Sequence, residues 1–270
     1  MSLITDITTK DICITHKERR NKMRAKLTGM KNETKGIQWL WRYLFYIMAM
    51  TLIALGIILN TKADLGVSPI ISVAYSVSII GNWNFGNITL ILYIVFVIAE
   101  FVLKGKNCKL FDLLQIVVSI IFTRVINFFD RYINLQLDNM WQKLIVLFFA
   151  ILFTGIGAAV SVNMRIVPNP GDGIVAAVAD KIHKKMGITK NIFDIGCIIV
   201  SGALGLIFRG KFVGIGIGTV LAMIFVGRVV ALVNHFMLIP MANITGMGVP
   251  HQYLDITQLE ELEKDKVSGQ

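Results

Sequence analysis

Charged side chains are scarce in this sequence: 16% of its 270 residues are Asp, Glu, Lys or Arg, where a soluble domain carries about 25%. With 55% hydrophobic residues and a mean hydropathy of +0.67, the shortfall excludes an ordinary water-soluble globule. Cysteine is rare as well. Cys13, Cys108 and Cys197 stand apart, without the paired spacings of a zinc or redox site, and are expected to be free thiols. The 4 histidines are unclustered, so neither a metal nor a cofactor is expected. Missing too are His-Glu-x-x-His, Gly-x-Ser-x-Gly and paired intramembrane aspartates, which argues against an enzyme. Acidic residues are the minority charge, 17 against 27 Lys and Arg. Ten of those basic residues lie in the first 42 positions and most of the rest in short gaps between apolar runs. That distribution fits orientation in a membrane rather than a nucleic-acid face.

What the chain has in abundance is apolar runs. Six, near residues 43–60, 88–103, 110–129, 144–162, 191–208 and 212–233, approach the roughly 17 to 25 residues that a bilayer-crossing helix requires. Two shorter segments, 69–80 and 170–186, begin at a proline and carry small or polar residues; they predict half-helices or re-entrant pieces. With six spans and a cytoplasmic N-terminus, the inner loops hold Lys104, Lys106, Lys109, Arg165, Lys181, Lys184, Lys185 and Lys190, and the outer loops Lys62, Arg131, Lys143, Arg209 and Lys211. Eight basic residues inside against five outside favour this topology over an eight-span one.

The chain repeats itself. A shift of 101 places Gly56 on Gly157, Ser68 on Asn169 and Pro69 on Pro170; a shift of 105 places Lys104-Gly105-Lys106 on Arg209-Gly210-Lys211; a shift of 104 places Arg124 on Arg228, with Phe122 and Phe225 one residue out of that register. Three spans per repeat is an odd number, so the second repeat enters the bilayer from the opposite side. The expected fold is all-α and integral to the membrane: six transmembrane helices in two inverted three-helix repeats, each with a broken or re-entrant half-helix. The expected organisation is a basic cytoplasmic tail (1–38), repeat 1 (39–137), repeat 2 (138–236) and an acidic cytoplasmic tail (237–270). Inverted repeats with interrupted helices are a recurring plan of secondary transporters, with the substrate held where the broken helices meet.

Candidate binding residues follow from the breaks. Asn169-Pro170-Gly171-Asp172-Gly173 combines a capping residue, a proline suited to the first helical turn, and glycines that permit close approach. Ser68-Pro69 occupies the matching place in repeat 1. A helix N-terminus inside a bilayer suits a carboxylate or phosphate, whereas Asp172 favours an amine or a proton, so a zwitterion fits both. Arg124 and Arg228 lie within apolar helices, where a charge costs roughly 2.5 to 3.5 kcal/mol; each either snorkels to a helix end or faces a ligand. Gly214-Ile215-Gly216-Ile217-Gly218-Thr219 lacks the Gly-Lys-Ser/Thr ending of a phosphate loop and reads as close helix packing, with Thr219 a further candidate. Glu100 with Lys104, and Asp194 with Lys190, read as helix-end pairs. Trp39, Trp41 and Trp141 read as interfacial anchors.

At the breaks and turns, over residues 43–236, the chain resembles the YitT/YczE/YyaS group of bacterial multispanning membrane proteins. Members show Gly-x-x-Pro-Trp-Asp after the first span, Pro-Arg-Asp-Gly after the fourth and Gly-x-Gly-Thr opening the last. Here Pro170-Gly171-Asp172-Gly173 and Gly216-Ile217-Gly218-Thr219 match, while Gly66-Val67-Ser68-Pro69 is followed by Ile70-Ile71 instead of Trp-Asp. The resemblance implies a bacterial inner membrane location. Together these readings point to a secondary, alternating-access transporter for a small polar solute, anionic or zwitterionic. A channel, a ligand-capturing subunit of an ATP-driven complex and a membrane scaffold are the alternatives. Expected partners are the bilayer, the solute and anionic lipid at the basic N-terminal tail, with no nucleic acid; the sequence leaves the oligomeric state open.

Overall fold

The computed structural model describes residues 36–105, 110–184 and 186–247, among which no residue is in a strand. Cys13, Cys108, Lys106, the basic segment before residue 36 and the acidic residues after 247 lie outside the described residues. The helices are α1 (Gly36–Ala63), α2 (Pro69–Gly81), α3 (Phe85–Lys104), α4 (Leu114–Tyr132), α5 (Met140–Met164), α6 (Pro170–Lys181), α7 (Met186–Arg209) and α8 (Ile217–Thr245), with a 3₁₀ turn at Leu110–Leu113. α1, α3, α5, α7 and α8 are long and apolar enough to cross a bilayer. The protein is therefore a multispanning membrane protein.

Two of the expected spans come out differently. The run 110–129 becomes the 3₁₀ turn and α4, whose Arg124, Asp130 and Arg131 leave it outside the five strongly apolar helices. Its buried face carries a polar stripe beside the apolar Phe122 and Ile126: Gln115, Ser119 and Thr123, four residues apart, are at most 1% exposed. The Ser119 and Thr123 hydroxyls donate one turn back, to Gln115 O (2.6 Å) and Ser119 O (2.9 Å), which hides them within the helix. The last span does not start at residue 212. Gly214 adopts φ +72 and its carbonyl pairs outside the helix, so α8 begins at Ile217 and continues through Pro240 to Thr245.

The described chain falls into two units, one formed by the residues up to Leu44 with those from Ile239 onward, the other by Phe45–Leu238. In the first, the Arg42 guanidinium lies 4.2 Å over the Trp39 ring, Gly246 sits against the Gln38 side chain, and Trp39 and Trp41 are exposed.

The larger unit holds both breaks. α1 and α5 pass at backbone distance, Gly56 lying against Ala150 and Thr154, and Gly157 against Ala49 and Ile53; small residues permit such approach. α2 packs chiefly on α7 and then on α3, while α6 packs chiefly on α3 and then on α7. On α3, Tyr93, Phe96, Val97 and Glu100 are buried, and Ile91, Val95, Ile98 and Val102 are exposed. α7 exposes Ile188, Ile192, Ile195 and Ile199 at the same spacing. These stripes suit lipid, and polar residues gather on the inner faces. Ion pairs Lys62–Asp130 (2.8 Å) and Lys143–Asp64 (3.6 Å) tie the end of α1 to α4 and α5. Arg209 donates to Ile79 O (2.8 Å) and Ile80 O (3.3 Å), capping the C-terminus of α2.

Candidate functional site

The first break is closed by backbone. Gly66 adopts φ +100, a conformation that side chains disfavour, and the strand-like segment it opens is held by the 214–218 loop. Val67 N–H donates to Gly214 O (2.9 Å) and Gly218 N–H to Leu65 O (2.7 Å). The glycines of that loop thus allow close packing against another loop rather than against a helix, as the sequence had suggested. Thr219, fully buried, accepts from Gly216 N–H (3.2 Å) and donates to Gly214 O (3.4 Å), so it fixes the loop's shape. Asn60, with its amide oriented to satisfy both neighbours, donates to Gly66 O (2.9 Å) and accepts from Ser68 N–H (3.3 Å). Ser68 occupies the cap position but its side chain makes no cap bond, which departs from the expected capping role; Asn60 holds the segment instead. Beneath it, Ser76 donates to Val213 O (2.7 Å) and lies 2.6 Å from Ser201 Oγ. This break is neutral. A cleft of about 410 Å³ opens beside it, lined by Thr61, Asp64, Gly66, Tyr75, Phe212 and Gly214 among others.

The second break is charged. Tyr46, on α1, donates to Val167 O (2.9 Å) and fixes the approach to α6. Asn169 caps as expected: its Oδ1 accepts from Gly171 N–H (3.1 Å), and its carbonyl accepts from Asp172 N–H (2.9 Å) and Gly173 N–H (2.8 Å). Pro170 has no N–H, so the first turn of α6 leaves no free donor for an anion. Asp172 faces α7, where Lys190 pairs with it at 3.3 Å. Lys190 therefore bridges two helices instead of closing onto Asp194 one turn along; Asp194 stays nearby, 5% exposed. The Tyr93 side chain, buried on α3, reaches Asn169. Phe96 and Phe193 meet edge to face at 5.6 Å and close α3 against α7.

On the other side of α6, Glu100 is fully buried. Its Oε1 lies 2.5 Å from Lys104 Nζ and accepts from Gln115 Nε2 at 3.2 Å. Lys104 also reaches Asp112 at 3.3 Å. Among the described residues, Glu100 Oε2 and Gln115 Oε1 have no hydrogen-bond partner. Both face Gly173, where an added methyl carbon would stand 2.5 Å from Glu100 Oε2 and 3.2 Å from Gln115 Oε1. Glu100 was legible as the partner of Lys104. Gln115 was missed, although Gln115, Ser119 and Thr123 form a polar stripe of helical period in an apolar run.

The two breaks meet. A methyl carbon on Gly171 would lie 3.4 Å from both Ile70 Cδ1 and Ile70 Cγ2, which sets the first turn of α6 against the first turn of α2. Ser68, Pro69, Asn169, Pro170, Gly171, Asp172 and Gly173 thus lie in or next to one junction, with Thr219 behind the first break. Arg124 and Arg228 stand apart, each exposed on its helix. Arg124 is nine residues past Gln115, and Arg228 nine past Thr219. That is about two and a half turns, which turns each away from the buried residue. Arg228 lies over the Phe225 ring at 5.4 Å.

No curated protein and no solved structure matches this chain. A family model described as a family of unknown function, DUF6198, matches residues 40–235, from α1 through most of α8 and across both breaks. The chain belongs to this family of unknown function, DUF6198.

Proposed function

We propose that the protein is a secondary transporter for a small zwitterion, built from two inverted three-span repeats and working by alternating access. The observation that carries this reading is the meeting of two half-helix N-termini, one from each half of the chain, at Ile70 and Gly171. The reciprocal packing supports it: each half-helix lies chiefly on the long helix of the other half, and Gly56 and Gly157, 101 residues apart, each press on the other's helix. Two-fold related halves of opposite orientation produce such exchange. α4 then serves as the sixth span, its charged outer end neutralised through Lys62–Asp130. Both tails lie in the cytoplasm, and the YitT/YczE/YyaS likeness supports a bacterial inner membrane. The proposal involves no enzyme chemistry.

The asymmetry of the breaks assigns the ends of the solute. α2 has no side-chain cap, so the N–H groups of its first turn receive the carboxylate, assisted by the helix dipole. α6 has its first turn occupied by Asn169 and carries Asp172, which receives the amine. As the amine arrives, Lys190 passes from Asp172 to Asp194. The cleft beside Gly66 and Tyr75 is the route of entry.

Thermal unfolding of the detergent-purified protein against amino acids, betaines, amines and carboxylates tests the reading, because a ligand that prefers the folded state raises Tm. A solute at 100 times its Kd stabilises by about 2.7 kcal/mol. A saturable shift with zwitterions, reduced at least tenfold in apparent affinity in Asp172→Asn, is expected. Equal shifts in Asp172→Asn and the natural protein would refute the assigned site.

A further inference from the structure

We propose that the cleft beside the first break is a binding site for a methylated ammonium group, held by the rings of Tyr75 and Phe212 and by the Asp64 carboxylate. The cleft encloses about 410 Å³, within the roughly 300–1,000 Å³ of small-molecule sites. Of the residues that line it, Asp64 alone carries a charge, and its side chain is 79% exposed. The sign therefore favours a cation. The walls decide which kind: Tyr75, Phe212 and Met140 offer ring faces and a thioether, poor replacements for the water around a metal ion or a bare ammonium. N-methyl groups spread the charge over an apolar surface that sheds water easily and is drawn to aromatic faces.

The two rings are set in place before any ligand arrives, which lowers the cost of binding. Ser76, next to Tyr75, donates to the carbonyl of Val213, next to Phe212, at 2.7 Å, and so ties the two ring-bearing segments together. Tyr75 meets Phe85 edge to face at 5.8 Å, and Gly214 lies against its ring, where an added methyl carbon would stand 2.8 Å from Cδ1. The Phe212 ring rests on Gly202 of α7 yet stays 63% exposed. Neither the turn nor the half-helix demands these residue types. Arg165 ends α5 with φ +50, the left-handed conformation that Asp64 adopts after α1 with φ +53, so the turn accepts a base as well as an acid. At the same offset of 101, Ala176 takes the place of Tyr75 on the other half-helix. Two ammonium groups stand nearby: Lys62 is engaged by Asp130 at 2.8 Å, and Lys143 reaches Asp64 at 3.6 Å. The second is a long pair with an exposed carboxylate, of little strength, and a cationic ligand displaces it. Resting on the transporter reading, in which solute passes through this cleft, the site makes a methylated ammonium the positive end of the zwitterion.

Saturation-transfer NMR of the purified full-length protein in a maltoside detergent tests the site without any transport measurement, with choline as the probe and its uncharged isostere, carbon in place of nitrogen, as the comparison. Saturable transfer to the choline N-methyl protons is expected, and the isostere should bind about tenfold more weakly, the worth of one desolvated contact between a cation and a ring. Tyr75→Leu and Phe212→Leu each weaken choline by a similar factor, whereas Tyr75→Phe retains it. Asp64→Asn weakens it too, and Lys143→Gln, which frees Asp64, strengthens it. Should Tyr75→Leu fail to fold, the exposed Phe212 decides. Absence of saturable transfer, or equal binding of choline and the isostere, would overturn the proposal. Choline binding unchanged in both Phe212→Leu and Asp64→Asn would place the ligand elsewhere and likewise overturn it. Choline binding that survives in Asp172→Asn, for a protein that moves no zwitterion, would uphold the site and count against the transporter alone.

Discussion

Replacing Gly66 by alanine is expected to lower the unfolding free energy by about 3 kcal/mol, from backbone strain of roughly 1–3 kcal/mol added to overpacking of similar size. Gly66 holds φ +100, and its new methyl carbon would fall on the Gly216 backbone nitrogen and within 2.6 Å of Thr219 Oγ1. Neither neighbour yields easily. Gly216 N–H is engaged with Thr219, and Gly218 N–H with Leu65 O, so relief requires the two loops to separate. Thermal unfolding in detergent measures the loss, and Gly36→Ala, whose methyl would meet nothing within 4 Å, is the control. A Gly66→Ala protein as stable as Gly36→Ala would show that the 65–67 and 214–218 segments do not pack as described.

Gly173→Ala acts at the other break, and a net loss of about 2 kcal/mol is expected. Alanine gains up to about 1 kcal/mol of helix propensity over glycine, but its methyl stands 2.5 Å from Glu100 Oε2. A long side chain would normally swing aside. Glu100 is fully buried and held by Lys104 and Gln115, so it moves only by giving up one of them. The overlap belongs to the pair, which a double-mutant cycle isolates: in a Glu100→Ser background the same substitution should be neutral or stabilising. Equal losses in both backgrounds would place the cost elsewhere than at Glu100.

These residues also mark where sequence reading stops. The two breaks were legible because proline, glycine and a capping asparagine act locally, and Asn169 caps α6 as its residue type requires. Local capping failed at Ser68, since a residue 8 positions earlier, Asn60, serves the segment instead. Lys190 was read with Asp194 by helical spacing, yet the stronger geometric partner lies 18 residues back, at Asp172. The Glu100–Gln115–Gly173 grouping joins three helices, and no periodicity within one helix can reveal it. The exposure of Arg124 and Arg228 was available in principle. On α4 the buried stripe of Gln115, Ser119 and Thr123 fixes the inward phase, and Arg124 follows Gln115 by half-integral turns. The glycines of 214–218 were read as close helix packing, whereas they pack on the 65–67 segment and α8 begins only at Ile217, because the carbonyl of Gly214 and the N–H of Gly218 are committed to the first break.

Counterflow in liposomes that contain only this protein and lipid tests the transport function most directly, using as labelled solutes the zwitterions that raise Tm. Saturable entry, transient accumulation of label against its gradient when unlabelled solute is preloaded, and loss of both in Asp172→Asn are the expected results. Linear flux without counterflow would identify a channel, and no flux of any solute that binds would contradict alternating access by this chain alone.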